Sequence, residues 1–314
     1  MSNQFESRRY KVALLAGGTS GEREVSLDSG KGACEALRKA GFSVTMLDPA
    51  NKADLHTLID GDFDVAFIAL HGKNGEDGTI QGFLEVIGLP YVGSGVWSSS
   101  LAMDKAMSKM FYNYVGILTP PSVVLSENTA ESLSFAIEKI GVPCVVKPSC
   151  EGSALGVYIA KEEKTLAEAL NQAFEIGDEV LVEKYITGRE LTVAVLGNKN
   201  PEALPVIEII PTNEFYDYES KYTPGGSQHI CPAKIDEDIT CKVQDMAIAA
   251  HQVLGCKGMS RSDFIVDDEN KVWILETNTI PGMTETSLLP DAGRAADLDF
   301  SELCSRLVEL ALEK

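Results

Sequence analysis

Short apolar runs alternate with amphipathic stretches through the first hundred residues of the chain. Residues 12–16 form an apolar run typical of a buried strand, and the glycine-rich segment 17–21 leads into a helical pattern that stops at Gly41. Further strand-like runs occur at 43–47 and 65–70. A strand, a glycine loop and a helix in this order predict an α/β region with a parallel sheet, whose sites lie in the loops that follow the strands.

The alternation continues beyond residue 103 with a different order of elements. Thr165 and Glu168 have the spacing of a capping box, and Gly177 follows at the expected end of that helix. The other predicted elements are helices over 130–140, 239–254 and 300–312, strands over 145–147, 180–184, 191–196 and 205–210, and a polar loop over 212–229. A loop of this length is often an active-site lid.

A β-hairpin is predicted near the C-terminus, because apolar runs at 264–266 and 272–275 flank the turn-forming residues 267–270. If Val266 pairs with Lys271, the alternation of side chains places six residues on one face of this hairpin. They are Arg261, Asp263, Ile265, Ile274, Glu276 and Asn278. That face is apolar near the turn and rich in oxygen atoms at its other end.

The oxygen-rich end of the hairpin has the composition of a site for a hard cation. Asp263, Glu276 and Asn278 offer two carboxylates and an amide oxygen beside Arg261. Magnesium prefers oxygen ligands and usually shares them with substrate phosphates. The other interpretation is a half-exposed hairpin whose acidic side chains are solvated, and the hairpin alone does not decide between the two.

The composition argues against several classes of partner. The 314 residues include 47 acidic and 27 basic side chains, a formal charge of −20, whereas phosphate backbones of nucleic acids are bound by excess lysine and arginine. No apolar run approaches the roughly 20 residues that cross a bilayer, so we expect no membrane segment. Seven cysteines without zinc-binding spacing predict reduced thiols in a cytoplasmic protein.

A local phosphate site is indicated by Lys147, which ends a predicted strand directly before a loop rich in glycine and serine that includes Ser153. Glycines let backbone amides approach phosphate oxygens, and the lysine adds a point charge. The loop has neither the Walker pattern nor the dinucleotide-binding glycine spacing. A plain β-hairpin connection is the other interpretation.

The next strand end offers groups that suit a nucleoside. Glu183, Lys184 and Ile186 belong to a run whose backbone groups and carboxylate could recognise a purine, and Glu190 follows at a distance suited to a ribose. A solvated strand end is the alternative. In the first region, Glu22 after the glycine loop could bind a substrate ammonium or simply complement a helix dipole.

His71 also follows a predicted strand end, where it is either a site residue or a loop residue.

Taken together, these segments resemble the ATP-grasp superfamily, and within it the D-alanine–D-alanine ligases, from about residue 12 to residue 312. The matching motifs are GGTSGEREVSL at 17–27, ALHG at 69–72, GEDGTIQG at 75–82, YVGSG at 91–95, MDK at 103–105, FYDY at 215–218, KY at 221–222, NTIPGMT at 278–284 and SL at 287–288. Their number and their order carry the resemblance.

The resemblance implies an ATP-grasp fold, with an N-terminal parallel-sheet α/β domain followed by two α+β domains that clamp ATP. We expect these domains at 1–103, 104–190 and 191–314. The implied activity joins two D-alanines at the expense of ATP, for peptidoglycan synthesis, with two Mg²⁺ ions as cofactors and Mn²⁺ as a substitute. A homodimer is usual in such a family.

The resemblance also implies a role for each candidate residue. Lys105 and Lys147 would bind ATP phosphates, Lys221 the transferring phosphoryl group, and Asp263, Glu276 and Asn278 the magnesium ions. Arg261 and the Gly282 amide would stabilise an oxyanion. The remaining implied roles are Glu22 for the first D-alanine's ammonium, Ser287 and Leu288 for the second one's carboxylate, His71 near that second site, and Ser153 and Tyr222 for closing the loops by hydrogen bonds with Glu22.

Two positions depart from the pattern of the family. Ala154 stands where a second serine is usual, which removes at most a hydroxyl contact, and Ser260 stands where a glycine usually precedes the arginine. The alternatives are a D-alanine–D-lactate ligase, another ATP-grasp carboxylate–amine ligase, a catalytically silent nucleotide-binding protein and a purely structural scaffold. Tyr222 favours D-alanine, because lactate-type relatives commonly carry phenylalanine there.

Overall fold

The computed structural model describes residues 10–152, 155–211, 226–284 and 286–313. Within these ranges the strands are β1 (Lys11–Leu15), β2 (Ser43–Leu47), β3 (Val65–Ile68), β4 (Ser122–Leu125), β5 (Cys144–Pro148), β6 (Tyr158–Ala160), β7 (Val180–Lys184), β8 (Arg189–Leu196), β9 (Glu202–Ala203), β10 (Ile207–Pro211), β11 (Ser227–Ile230), β12 (Met259–Val266) and β13 (Val272–Asn278). The helices are α1 (Arg23–Lys39), α2 (Lys52–Asp60), α3 (Thr79–Val86), α4 (Val96–Met103), α5 (Lys105–Tyr114), α6 (Ala130–Lys139), α7 (Glu163–Phe174), α8 (Glu237–Val253), α9 (Leu288–Ala295) and α10 (Phe300–Leu312).

The first sheet is parallel and has the order β2-β1-β3, which confirms the predicted α/β region. The glycine loop carries the chain from β1 to α1, and Gly17 and Gly18 take positive φ angles of 98° and 76° in it. A Cβ on Gly17 would lie 2.7 Å from the Asp48 carboxyl carbon. The turn therefore requires glycine for its backbone conformation and for space.

The last helix of the chain packs against this first sheet. Leu303 and Leu307 of α10 share a buried cluster with Leu37 of α1 and Phe67 of β3. The chain thus returns to its starting sheet after β13, and the segment between β13 and α9 comes to lie beside the loops that follow β1 and β3. The predicted domain boundaries remain predictions.

The second sheet is antiparallel, with the order β4-β7-β5-β6, and α6 and α7 pack on one face of it. Because β5 and β6 pair antiparallel, the glycine loop after Lys147 is geometrically a hairpin connection. The predicted capping box is wrong: Glu162 is the N-cap of α7, and its backbone N–H donates to Thr165 Oγ1 at 3.1 Å. The pair 162/165 has the same three-residue spacing as 165/168, so spacing alone could not choose between them.

The third sheet has the order β11-β10-β8-β12-β13, with β9 paired to β8. Helix α8 covers its inner face, where Val243 and Ala247 pack against Phe264 and Ile274. The opposite face of the β12–β13 hairpin is left for polar and partly buried side chains. The hairpin predicted from the sequence is therefore present.

The register of this hairpin differs from the prediction. Val266 pairs with Val272 instead of Lys271, and the register shifts by one residue between Asp263 and Phe264, so that Leu275 is an extra residue. Such a bulge reverses the alternation of the strand beyond it. Ile274 is consequently fully buried in the cluster beneath α8, and its predicted place on the polar face is wrong.

The serine at position 260 lies on the buried face of β12, away from the polar face that carries Arg261. Its Oγ is 2.7 Å from Nδ1 of His251 on α8, and both side chains are fully buried. Burial lowers the pKa of His251 from 6.5 to about 4. The departure at Ser260 is thus accommodated by a hydrogen bond between the helix and the strand.

No helix among the described residues is long and apolar enough to cross a membrane. All seven cysteines are free thiols.

The buried histidine predicts a specific loss of stability in acid. Between pH 6.5 and 4 the unfolded chain binds a proton at His251 that the folded chain does not, so the free energy of unfolding rises with pH across this window. Unfolding measured from pH 7 to pH 4 should show the unaltered chain losing up to about 3 kcal/mol more than His251→Gln, which cannot titrate. Equal pH profiles for the two proteins would contradict the assignment.

Candidate active site

Two adjoining cavities lie along the polar face of the hairpin. One, of about 710 Å³, lies between the first sheet, the hairpin and the start of α9. The other, of about 140 Å³, lies between the second and third sheets. Lys105, Glu151 and Glu276 line both, so the cavities meet at these three side chains.

The larger cavity gathers predicted residues from distant parts of the sequence. The residues that line it are Glu22, His71, Lys105, Arg261, Glu276, Asn278, Gly282, Ser287 and Leu288. Among its charged side chains carboxylates outnumber basic groups, with Glu24, Asp28, Glu76 and Glu151 in addition to the predicted ones. This lining suits ligands that carry ammonium groups or metal cations, while Lys105 and Arg261 supply local positive charge.

The end of the larger cavity near the first sheet is built around His71, which follows β3. Its Nε2 is 3.0 Å from Ser29 Oγ, and its Nδ1 is 3.6 Å from Glu76 Oε1. The Gly72 backbone N–H donates to Glu76 Oε2 at 3.1 Å. Position 72 has a positive φ of 69°, and a Cβ there would collide with Glu22 Oε2, so glycine allows the Glu22 carboxylate to lie against the loop.

The N-terminus of α9 forms another part of the wall of the larger cavity. Ser287 is the N-cap residue, and its Oγ accepts from the Thr284 backbone N–H at 3.1 Å. A helix N-terminus favours negative charge because its first amide groups and dipole are oriented outwards. Ser287 and Leu288 are therefore placed where a substrate carboxylate would be stabilised.

The hairpin face that lines the larger cavity holds an ordered polar network. Arg261 donates to both Asp263 oxygens at 2.9 Å, and Thr192 Oγ1 donates to Asp263 Oδ1 at 2.6 Å. Asn278 Oδ1 accepts from the Ile280 backbone N–H at 2.8 Å. Lys105 Nζ lies 3.7 Å from Glu276 Oε2. The bulge at residue 275 places Asp263 opposite Glu276, and Arg261 opposite Asn278.

The donor set of this face fits a hard cation. Asp263, Glu276 and Asn278 offer only oxygen, the element that magnesium prefers. No cluster of three or more His, Cys, Asp and Glu side chains with metal-site geometry occurs within the described ranges. The amide oxygen of Asn278 is thus the third protein ligand that this face could supply, and phosphate oxygens would complete a coordination shell.

The smaller cavity contains the residues predicted for a nucleotide. They are Lys105, Lys147, Glu183, Lys184, Ile186 and Glu190, together with Asp263 and Glu276 from the hairpin. Apolar side chains form much of its remaining wall, among them Ile159, Ile265 and Leu275. An apolar space with charged groups in its wall suits a base with attached phosphates. Ile274, predicted on the polar face of the hairpin, lines neither cavity.

A buried charge cluster lies at the inner wall of the smaller cavity. Glu183 accepts from Lys147 Nζ at 2.5 Å through Oε1 and from Lys109 Nζ at 2.7 Å through Oε2. Burial acts to raise the pKa of Glu183, but the two ammonium charges outweigh it and hold the pKa below its usual range. Both oxygens of the carboxylate predicted to recognise a purine are thus already hydrogen-bonded to lysines.

Several residues in or behind the cavity walls were not predicted from the sequence. Lys109 lies four residues after Lys105 on α5, so a lysine pair on one helical face was the available signal. His229, 3.2 Å from Asp291, lines the larger cavity without belonging to any motif. Three predicted residues, Ser153, Lys221 and Tyr222, and the departure at Ala154 lie outside the described residues.

Known proteins match the chain along nearly its whole length. Residues 111–309 match the family model described as "D-ala D-ala ligase C-terminus", and residues 50–94 match "D-ala D-ala ligase N-terminus". The D-alanine–D-alanine ligase of Halalkalibacterium halodurans is 48% identical over 306 residues, which are 97% of this chain and 100% of that protein.

Solved structures agree in fold. The D-alanine–D-alanine ligase of Bacillus anthracis, complexed with ATP, is 33% identical with a TM-score of 0.83, covering 96% of this chain and 97% of that one. The D-Ala:D-Ser ligase VanG of Enterococcus faecalis is 31% identical with a TM-score of 0.84, covering 97% of this chain and 100% of that one. The chain therefore belongs to the D-alanine–D-alanine ligase family, ATP-dependent ligases of the ATP-grasp fold.

Proposed function

We propose that this enzyme joins two molecules of D-alanine and converts ATP to ADP and phosphate. The observation that carries the proposal is the junction of the two cavities at Lys105, Glu151 and Glu276. A nucleotide in the smaller cavity with its phosphates towards Lys105 would face a carboxylate substrate in the larger one. Arg261 lies beside that junction and lines the larger cavity.

The nucleotide half of the reaction uses the smaller cavity. The apolar wall would hold the purine beside the backbone of Lys184 and Ile186, with Glu190 at the ribose. Lys105 and Lys147, both more than 90% buried, would bind the phosphates, and Lys221 would meet the transferring phosphoryl group. Buried lysines are effective for this role because little water screens their charge.

Asp263, Glu276 and Asn278 would hold two magnesium ions, with manganese as an alternative. Bound there, the ions would spread the negative charge that develops on the transferring phosphoryl group. Arg261 keeps the Asp263 carboxylate oriented through two hydrogen bonds, so this ligand is held in place before a cation arrives.

The acyl-transfer half uses the larger cavity. The first D-alanine, its ammonium at Glu22, would attack the γ-phosphorus of ATP through its carboxylate, which forms an acyl phosphate and releases ADP as the β–γ bridging bond breaks. The amine of the second D-alanine, its carboxylate at Ser287 and Leu288, would then attack the acyl carbon and displace phosphate. The Arg261 guanidinium and the Gly282 amide would stabilise the oxyanion of the tetrahedral intermediate, and His71 would lie near the second substrate.

Ser153 and Tyr222 would close the site by hydrogen bonds with Glu22, which protects the acyl phosphate from water. We also propose that the enzyme supplies peptidoglycan synthesis in the cytoplasm as a homodimer. The family supports this setting, and the seven free thiols are consistent with a reducing compartment.

Substrate selectivity tests the reaction directly. With MgATP, D-alanine alone should release phosphate in equal amount to the dipeptide formed, because the same molecule occupies both amino-acid positions. L-alanine is the control and should release little. Parallel assays with D-alanine plus D-lactate or D-serine measure selectivity at the second position. Phosphate release that occurs only when D-lactate is added would overturn the proposal.

Glu276→Gln should lower D-alanine-dependent phosphate release by at least about 100-fold, because it removes one of the two carboxylate charges proposed to hold magnesium. Glutamine keeps the size of the side chain, so thermal unfolding should change little. Glu168→Gln on α7 is the matched control at an exposed site and should retain full activity. Unchanged activity of Glu276→Gln at saturating magnesium would contradict the assigned metal site.

A further inference from the structure

Lys109 is a buried charge that the reaction described above does not use. The residue is 3% exposed, and its ammonium donates to Glu183 Oε2 at 2.7 Å and to Thr119 Oγ1 at 2.8 Å. It lines neither of the two cavities. Any effect of Lys109 on a nucleotide must therefore act through another residue, and Glu183 is the charged group that it contacts.

Glu183 is shared between a lysine that reaches the nucleotide cavity and one that does not. Lys147 lines the cavity and donates to Oε1, while Lys109 stands behind the carboxylate and donates to Oε2. The three buried groups carry one negative and two positive charges. The cluster therefore has one excess positive charge, and Lys147 presents it to the cavity.

A phosphate in the cavity would compete with Glu183 for the Lys147 ammonium. A buried carboxylate that loses its only cationic partner is strongly destabilised, because it has neither water nor a counter-charge. With Lys109 in place, Glu183 keeps one ammonium when Lys147 turns to a phosphate. Without Lys109, binding of the phosphate to Lys147 would leave the buried Glu183 carboxylate without a cationic partner.

The position of Lys109 is fixed independently of any ligand. Thr119 accepts its second hydrogen bond, and the Thr119 hydroxyl donates to the Ile274 carbonyl of β13 at 2.9 Å. Lys109 is thus anchored, through Thr119, to the backbone of β13, the strand that carries Glu276. This anchor keeps its ammonium beside Glu183 when the cavity fills.

We propose that Lys109 is a positioning residue for ATP, which compensates the buried Glu183 carboxylate so that Lys147 is released to bind a nucleotide phosphate. The proposal rests on the proposed role of Lys147 and deepens it. The proposal concerns phosphate binding, so the affinity for a ligand without phosphates should not depend on Lys109.

The test compares the dissociation constants of MgADP and adenosine for each protein by titration calorimetry. In Lys109→Met the affinity for MgADP should fall by about tenfold, the loss of one charge-assisted hydrogen bond, while adenosine binding should stay within about twofold. Lys164→Met, at an exposed position on α7, is the matched control and should change neither constant. An equal loss for both ligands, or no loss for MgADP, would overturn the proposal.

A second background separates this role from general damage to the cavity. Glu183→Gln has no buried carboxylate that needs a cationic partner. Adding Lys109→Met to this variant should therefore leave the ratio of the MgADP and adenosine dissociation constants unchanged. A tenfold loss in this background as well would also overturn the proposal. The proposed reaction is tested separately, by the phosphate-release assay. Absence of D-alanine-dependent phosphate release by the unaltered chain would refute that reaction.

If Lys109→Met does not fold, Thr119 provides the test. Thr119→Val removes the hydroxyl that anchors Lys109 and should weaken MgADP binding relative to adenosine by about threefold, whereas Thr119→Ser retains the hydroxyl and the affinity. Equal ratios for the two Thr119 variants would overturn the proposal.

Discussion

The one-residue bulge at Leu275 in the β12–β13 hairpin is the constraint on which the site depends. On the turn side of the bulge, Ile274 pairs with Phe264, and both are buried under α8. Beyond it, Glu276 pairs with Asp263, and both line the smaller cavity. Continuing the turn-side register without a bulge would place Glu276 and Asn278 on the buried face. One extra residue thus allows a single strand to contribute both to the core and to the polar site.

The site concentrates positively charged side chains although the chain as a whole is strongly acidic. A chain with a net charge of −20 places Lys105, Lys109 and Lys147 within one buried region around Glu183 and Glu276. Each of these ammonium groups is hydrogen-bonded or ion-paired, which makes their burial tolerable. The carboxylates on the wall of the larger cavity complement substrate ammonium groups and cations, while the few local positive charges lie where phosphate would bind. Local arrangement, and not net charge, determines which ligands are accepted.

The sequence predicted the elements of this site better than their exact pairing. Alternation identified the hairpin and the polar face, because oxygen-rich residues at every second position are a visible pattern. It could not locate the bulge, since Leu275 is as apolar as the strand around it. The capping pair at 162 and 165 was confused with 165 and 168 because both have the same spacing. Lys109 escaped notice because a lysine on a helix is usually exposed, and only tertiary contacts show that this one is buried.

The proposed reaction requires the carboxylate of a first D-alanine to attack ATP beside the hairpin. This step can be followed through its oxygen atoms, with D-alanine labelled with ¹⁸O in both carboxylate oxygens, unlabelled MgATP and unlabelled water. Attack by the carboxylate followed by displacement at the acyl carbon predicts that each released phosphate carries one ¹⁸O atom and that ADP carries none. Phosphate without ¹⁸O would contradict the account, because the carboxylate would then never have been phosphorylated.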